Sequence, residues 1–371
     1  MEKIPICIIG SGPAGVATAA ALVQRRPGWR DDILVLEKEK HPRHKLCGGG
    51  LTPWVDELLR ELELEASVPD FRVHRVRFYI NDKPLLFDLP NLMRTVRRNE
   101  FDAALAQALR NKGVRLLENV AVQSMSEHSA GMLVQTTAGD FLAQIVVGAD
   151  GAKSLARRQF FREEVSRVSR LIEVLVPAMD GARADFEAHT ALIDFRPMQH
   201  GLQGYVWDFP CWINREPHLN VGLFDSRIYE SNAHSRADLP ALLEQHLAGR
   251  GFEASTKVMG HPERWHHSVD GVSRPRVLLA GEAAGIEPWL GEGISAALAY
   301  GPIAAEAIIH ALETKDFSLR DYRERLLANR LGKFLRRNRL IARLFYSRQM
   351  RALLPLFGRI LQGYMWMKQK R

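Results

Sequence analysis

The chain of 371 residues holds three cysteines, Cys7, Cys47 and Cys211, with no Cys-x-x-Cys and no paired spacing. That excludes a disulfide framework and fits a reducing, cytoplasmic setting. No run of about 18 consecutive apolar residues occurs, so no membrane-spanning helix is expected. The N-terminus lacks the basic, apolar, small-residue order of an export signal and enters a strand at once. There is no P-loop, nucleophile elbow, internal repeat or low-complexity tract. His261, His266 and His267 with Glu263 have metal-ligand residue types, but adjacent histidines before a strand read as surface residues, and no metal is assigned.

Acid is missing from one region only. After Glu324 there is no Asp or Glu, against 13 Lys and Arg. The formal charge of +8 therefore sits in the tail, and the remainder carries 38 basic against 43 acidic residues. A mildly acidic body argues against nucleic acid as a partner.

What is present begins with Ile4–Ile9, a short apolar run of the buried parallel-strand type. It is followed by Gly10-Ser11-Gly12-Pro13-Ala14-Gly15, a helix, and a second buried strand ending in Glu37. Glycines permit the tight turn, the helix start attracts a pyrophosphate, and an acid about 20 residues on takes ribose hydroxyls. Three more glycine-marked strand ends follow, at 47–50, 148–151 and 281–293. In a doubly wound sheet such ends share one crevice. A ligand that touches all four is a dinucleotide with a bulky ring system, and FAD fits. Between these elements the text turns β-rich over 73–89 and 170–263, with one helix expected at 236–248. Gly291 and Gly293 flank Glu292 ahead of a long small-residue helix, whose first amides favour negative charge on a flat ring.

Together the motifs "KLCGGGL" (45–51), "RNEFDAAL" (98–105), "GADG" (148–151), "GYVWDFP" (204–210) and "GEAAGIEPWLGEGI" (281–294) resemble the FAD-dependent para-hydroxybenzoate hydroxylase superfamily, and within it the geranylgeranyl reductase family. The likeness runs to about residue 312. It implies an α/β fold: a Rossmann-like FAD-binding domain (1–72, 91–168 and 264–315), an inserted, mainly antiparallel β substrate domain (73–90 and 169–263), and a C-terminal helical tail (316–371). It implies cofactor contacts at Gly10, Gly12, Pro13, Ala14, Gly15, Glu37, Lys38, Gly48, Gly49, Arg98, Val122, Asp150, Gly281, Glu282, Pro288, Gly291, Gly293 and Ile294. Arg98 would reach the pyrophosphate or adenosine side, Asp150 would brace a strand-to-helix turn, and Glu282 would take the place of the family's usual aspartate by the ribityl chain. Tyr205, Trp207 and Phe209 alternate with period two and so share one strand face; the resemblance places that face along the substrate cavity. Cys211 stands where the family commonly has lysine.

"CGGG" would pass beside the isoalloxazine, its glycines leaving room for a planar ligand. Cys47 would position substrate or donate a proton; the alternative is a small apolar filler. The activity implied is reduction of carbon–carbon double bonds of a polyprenyl or other apolar substrate, by hydride from flavin N5. The alternative is a monooxygenase that hydroxylates an aromatic or amino-acid side chain, in a partner protein or free, through a C4a-hydroperoxide. With one GxGxxG only, electrons must come from outside, from NAD(P)H or a ferredoxin-like protein. In the tail, Leu327, Leu331, Phe334, Ile341 and Phe345 form a helical stripe; Pro355 breaks the segment, and Phe357, Leu361 and Tyr364 continue a second stripe, with Trp366 close by. Two readings stay open: a basic amphipathic helix on the inner membrane face, or stripes that pack back on the protein.

Overall fold

The computed structural model describes residues 1–161, 167–229, 236–252, 258–268, 271–354 and 356. Along the chain lie β1 (Glu2–Ile9), α1 (Pro13–Arg25), β2 (Ile33–Leu36), β3 (Gly50–Leu51), α2 (Pro53–Glu61), β4 (Asp70–Tyr79), β5 (Leu85–Val96) and α3 (Arg98–Asn111). Next come β6 (Arg115–Leu117), β7 (Val122–His128), β8 (Gly131–Thr136), β9 (Gly139–Gly148), α4 (Leu155–Phe160), β10 (Val168–Pro177), α5 (Asp180–Glu187) and β11 (Thr190–Asp194). The remainder is β12 (Gly204–Ile213), β13 (Glu216–Asp225), α6 (Leu239–Gly249), β14 (Met259–Arg264), β15 (Ser273–Arg274), β16 (Val277–Leu279), α7 (Gly293–Thr314), α8 (Tyr322–Ala328) and α9 (Arg330–Phe345).

Two sheets share the chain. The first runs β15-β16-β9-β1-β2-β6. From β16 to β6 its pairs are parallel. β7 and β8 form an antiparallel ribbon that joins it at β9. Near-continuous apolar strands such as Ile33–Leu36 are buried throughout, as a sheet covered on both faces requires. α1 and α7 cross tightly, because Gly301 brings its Cα where a Cβ would stand 2.5 Å from the Ala17 carbonyl carbon. α7 is the described helix long and apolar enough to cross a membrane by length and composition, and most of it is buried in this core.

The second sheet runs β14-β10-β13-β12-β11-β4-β5-β3. All its pairs are antiparallel except β11 with β4. Its boundary differs from the sequence reading. β5 continues to Val96 and pairs Thr95 with Gly50 and Arg94 with Leu51. Residues 91–96 and the "GL" of the glycine loop therefore belong to the substrate sheet. Leu92 and Met93, both partly buried against the second core, hold that strand extension in place.

The tail is part of the body over its described length. Asn329 Oδ1 accepts from the Leu331 amide at 3.2 Å and caps α9. Leu331 and Leu335 enter the first core, and Ala342, Tyr346 and Leu354 enter the second. Leu331 of the expected stripe is buried, but beyond it the buried line is Leu335, Ala342, Tyr346, one position further on; Leu327, Phe334, Ile341 and Phe345 are half-buried. Pro355, Phe357, Leu361, Tyr364 and Trp366 lie outside the described residues.

Candidate flavin site

A cavity of about 770 Å³ runs between the two sheets along the carboxyl ends of β1, β2 and β9 and the start of α7. That is the size of a site for one sizeable organic ligand.

One end is built by the first sheet. Gly10 has φ +100°, and a Cβ there would stand 2.5 Å from the Ala149 carbonyl oxygen. A Cβ on Gly15 would be 1.9 Å from the Gly10 carbonyl oxygen, so only glycine lets α1 start directly on the strand turn. α1 has no side-chain cap and no acid in its first turn. Its N-terminal end, at Gly12, Pro13 and Ala14, lines the cavity, a ready site for a pyrophosphate. Glu37, at the end of β2, accepts from the Ser11 amide (3.1 Å) and hydroxyl (2.9 Å). Burial would raise its pKa; the Arg43 guanidinium, 3.4 Å away, and the Ser11 donors hold it below the usual carboxylate value. Lys38 and Val122 line the same end.

Arg98 lines the cavity. Its guanidinium donates to both Asp102 oxygens (2.9 and 3.1 Å), is buried, and adjoins Cys47. Arg43 lines the cavity too, close to the start of α1: its Nη2 is 3.6 Å from where a Gly12 Cβ would be, and it also faces Asp102 at 3.3 Å. Asp150 accepts from the Leu155 and Ala156 amides (2.6 and 3.3 Å) at the head of α4.

The other end is built from both sheets. Cys47 lines it, and its backbone is clamped by the substrate sheet: its amide donates to Glu173 Oε1 (3.2 Å) and its carbonyl accepts from Asn220 Nδ2 (3.2 Å). Burial pushes the Cys47 thiol up despite nearby Arg98, so it stays protonated at neutral pH. Glu282 faces Lys45 Nζ and His261 Nε2, each at 3.4 Å. Burial alone would raise it; those two partners take it down to about 2. Glu263, two residues beyond His261 on β14, lines the cavity beside Gly291, with Oε2 buried and unpartnered among the described residues. Burial, then the charge of Glu282, raises it well above the usual value, so it holds its proton. Glu287 accepts from the Trp289, Leu290 and Glu292 amides (2.7, 2.9 and 2.7 Å) and so shapes the turn that brings Gly291, Gly293 and Ile294 to the cavity.

The glycine loop does a different job from the one expected. A Cβ on Gly48 would meet the Phe209 ring at 3.1 Å and Trp207 Nε1 at 3.2 Å. Gly49, at φ +74°, would put one 2.2 Å from the Val96 carbonyl oxygen. The bare backbone makes room for the indole and phenyl groups of the substrate sheet; of "CGGG", Cys47 alone lines the cavity, with Lys45 and Leu46 before it. For the same reason Tyr205, Trp207 and Phe209 do not line it among the described residues. They form a buried wall behind it: Trp207 Nε1 donates to Asn220 Oδ1 (2.8 Å) and the Tyr205 hydroxyl to the Leu290 carbonyl (2.7 Å). Gly15, Gly281 and Pro288 likewise stand outside the lining and act through packing or their carbonyls. Cys211 is a core residue, its thiol pushed up to about 11 by burial.

Arg43, Lys45, His261 and Glu263 were not read as site residues. Residues 43–45 fall in an irregular basic stretch, and nothing in "HPERWHH" shows that β14 threads the cavity. His261 is half-buried in the Lys45–Glu282 cluster, and His266 is buried with its pKa taken down to about 3 by burial, so neither is a plain surface histidine.

An elongated cavity with a bare helix start and ribose carboxylate at one end, and a second helix start at the other, fits FAD and defines a flavoprotein oxidoreductase. Residues 3–325 match the FAD binding domain family, and the chain belongs to it. The menaquinone reductase of Mycolicibacterium smegmatis is 31% identical over 330 residues, 82% of this chain and 76% of that protein. A geranylgeranyl bacteriochlorophyll reductase-like protein from Thermoplasma acidophilum has the same fold, with a TM-score of 0.77 at 19% identity over 95% of this chain and 90% of that one. The halogenase PltM in complex with FAD superposes with a TM-score of 0.67 at 16% identity, covering 92% of this chain and 75% of that one.

Proposed function

We propose that this FAD-dependent oxidoreductase is a reductase of a carbon–carbon double bond in a polyprenyl substrate. One observation carries the reading: at the ring end of the cavity two groups, the Cys47 thiol and the Glu263 carboxyl, are both held protonated by burial. Saturating an alkene needs a hydride at one carbon and a proton at the other. Reduced FAD supplies the hydride when bound. The protein's task is to keep a proton beside an apolar chain and to exclude water, and Leu46, Ile286 and Ile294 line the cavity there. The Glu173–Asn220 clamp fixes the Cys47 backbone, so its thiol has a defined reach. Glu282, kept ionised by the Lys45 charge and the His261 hydrogen bond, lies close enough for its negative charge to help keep Glu263 protonated.

The names of the menaquinone reductase and the geranylgeranyl reductase-like neighbour support a prenylated substrate, and an isoprenoid quinone is the first to try. Electrons come from an external donor, a transiently docked NAD(P)H or a ferredoxin-like protein.

The test is anaerobic. Flavin-loaded protein is reduced and mixed in turn with menaquinone, with a geranylgeranyl compound and with oxygenated buffer, while absorbance is recorded. The expected result is return of the oxidised flavin spectrum with a prenylated compound, and a product two hydrogens heavier after air has reoxidised any quinone ring. If no prenylated compound reoxidises the flavin, while oxygen gives a transient band and an aromatic compound is hydroxylated, the reductase reading is wrong and the monooxygenase takes its place.

A further inference from the structure

α9 is fixed from below. Leu331, Leu335, Ala342 and Tyr346 anchor it in both cores, and the Tyr346 hydroxyl donates to the Trp289 carbonyl in the turn that leads to Gly291. Its opposite face is therefore held outward in one orientation. That face consists of Lys333, Arg336, Arg337, Leu340, Arg343 and Leu344, a single stripe at helical spacing. Leu340 and Leu344 are each 60% exposed, and Leu353 and Leu356, just beyond the helix, are 52% and 56% exposed. None of the four cations on the stripe has an acidic partner among the described residues. Up to the first residue of α9 the pattern is opposite: Arg325 pairs with Asp321, and Arg330 with Glu57.

Four uncompensated cations around paired leucines, on a helix that cannot roll inward, match the chemistry of one surface. Anionic headgroups neutralise the cations, and the acyl boundary takes the leucines while the long cationic side chains reach up to the phosphates. We propose that the outward face of α9 docks the protein on an anionic lipid bilayer. The Trp289–Gly291 turn beside α9 also borders the ring end of the cavity, so docking there sets that end of the molecule at the bilayer, where a polyprenyl chain resides. The docking itself is independent of which reaction the site performs.

Co-sedimentation of the full, flavin-loaded chain tests this, using vesicles of equal parts phosphatidylglycerol and phosphatidylcholine against phosphatidylcholine alone. Binding is expected only to the anionic vesicles and is released by salt. The double variant Leu340→Gln/Leu344→Gln should weaken binding by about tenfold. Each of Arg336→Gln, Arg337→Gln and Arg343→Gln should weaken it by about fivefold. Flavin content and thermal midpoint should stay unchanged, since the replaced side chains are exposed. Four results would each overturn the proposal: no binding; equal binding to neutral vesicles; loss of binding only when Arg359, Lys368, Lys370 and Arg371 are neutralised; or binding to duplex DNA as strong as to vesicles with the leucine pair irrelevant. Concentration-dependent dimerisation abolished by the leucine pair would assign the face to a second copy of the chain instead.

Discussion

The two ends of the cavity handle charge in opposite ways. At the adenosine end, apart from Asp150, which backbone amides hold and burial raises, the acids are paired with cations: Glu37 with Arg43, Asp102 with Arg98 and Arg43, Glu118 with Arg110. Those acids all lie below their usual pKa values, although burial alone would raise each of them. At the ring end the available cation, Lys45, is committed to Glu282. Glu263, Glu287 and Glu173 are left with amide or amide-like partners or none, and burial raises all three. A compensated end is a binding device, fixed at any ordinary pH. An uncompensated end keeps protons, which is what a site of proton delivery requires.

The sharpest way to break this comparison is to remove the two protonated groups. Cys47→Ala and Glu263→Gln are each expected to keep full flavin content, read from absorbance per protein. The variant lacking the true donor should lose turnover by about 10²–10⁴-fold. If both turn over like the wild type, the ring end is packing and nothing more. A smaller effect is expected at the other end. Glu37→Gln should weaken FAD binding by about tenfold, the worth of a charged hydrogen bond, while turnover at saturating FAD stays unchanged. Altered turnover with unaltered flavin affinity would reverse the assignment of the two ends.

The smallest expected effect concerns pH. Above the ordinary carboxylate value of 4.5 the unfolded chain releases the Glu263 proton while the native protein keeps it. The native state then binds more protons, so this residue makes stability fall as pH rises towards its raised native pKa. Glu263→Gln should therefore be more stable than wild type at pH 8, by about 1 kcal/mol, and equal to it at pH 4, in guanidinium unfolding of the flavin-loaded protein. A difference independent of pH would show that no proton is retained there.

How much of this was legible depends on whether the signal is local. Gly10, Gly12, Gly15 and Glu37 could be read because strand, turn and helix are consecutive in the chain and their steric demands are written in neighbouring residues. The aromatic alternation of Tyr205, Trp207 and Phe209 was legible as a shared strand face, but not what covers it. That depends on the loop at 47–50, some 155 residues earlier in the chain, lying flat on β12. "CGGG" looked like space for a ligand; it is space for Trp207 and Phe209. The tail shows the same limit by one helical step: periodicity identified an amphipathic helix, and only the position of the two cores decided that Leu340 and Leu344 face out.

By itself, then, the sequence determined the nucleotide fold, the cofactor and the ends of the strands that hold it, since each rests on contacts between residues close in the chain. The ring end was decided by tertiary structure. Lys45 meets His261 and Glu282 across more than 200 residues, and the proton on Glu263 exists because folding buries that carboxyl near Glu282, a carboxylate that has already taken Lys45. Burial and like-charge proximity act through space, and no local pattern in the sequence records them.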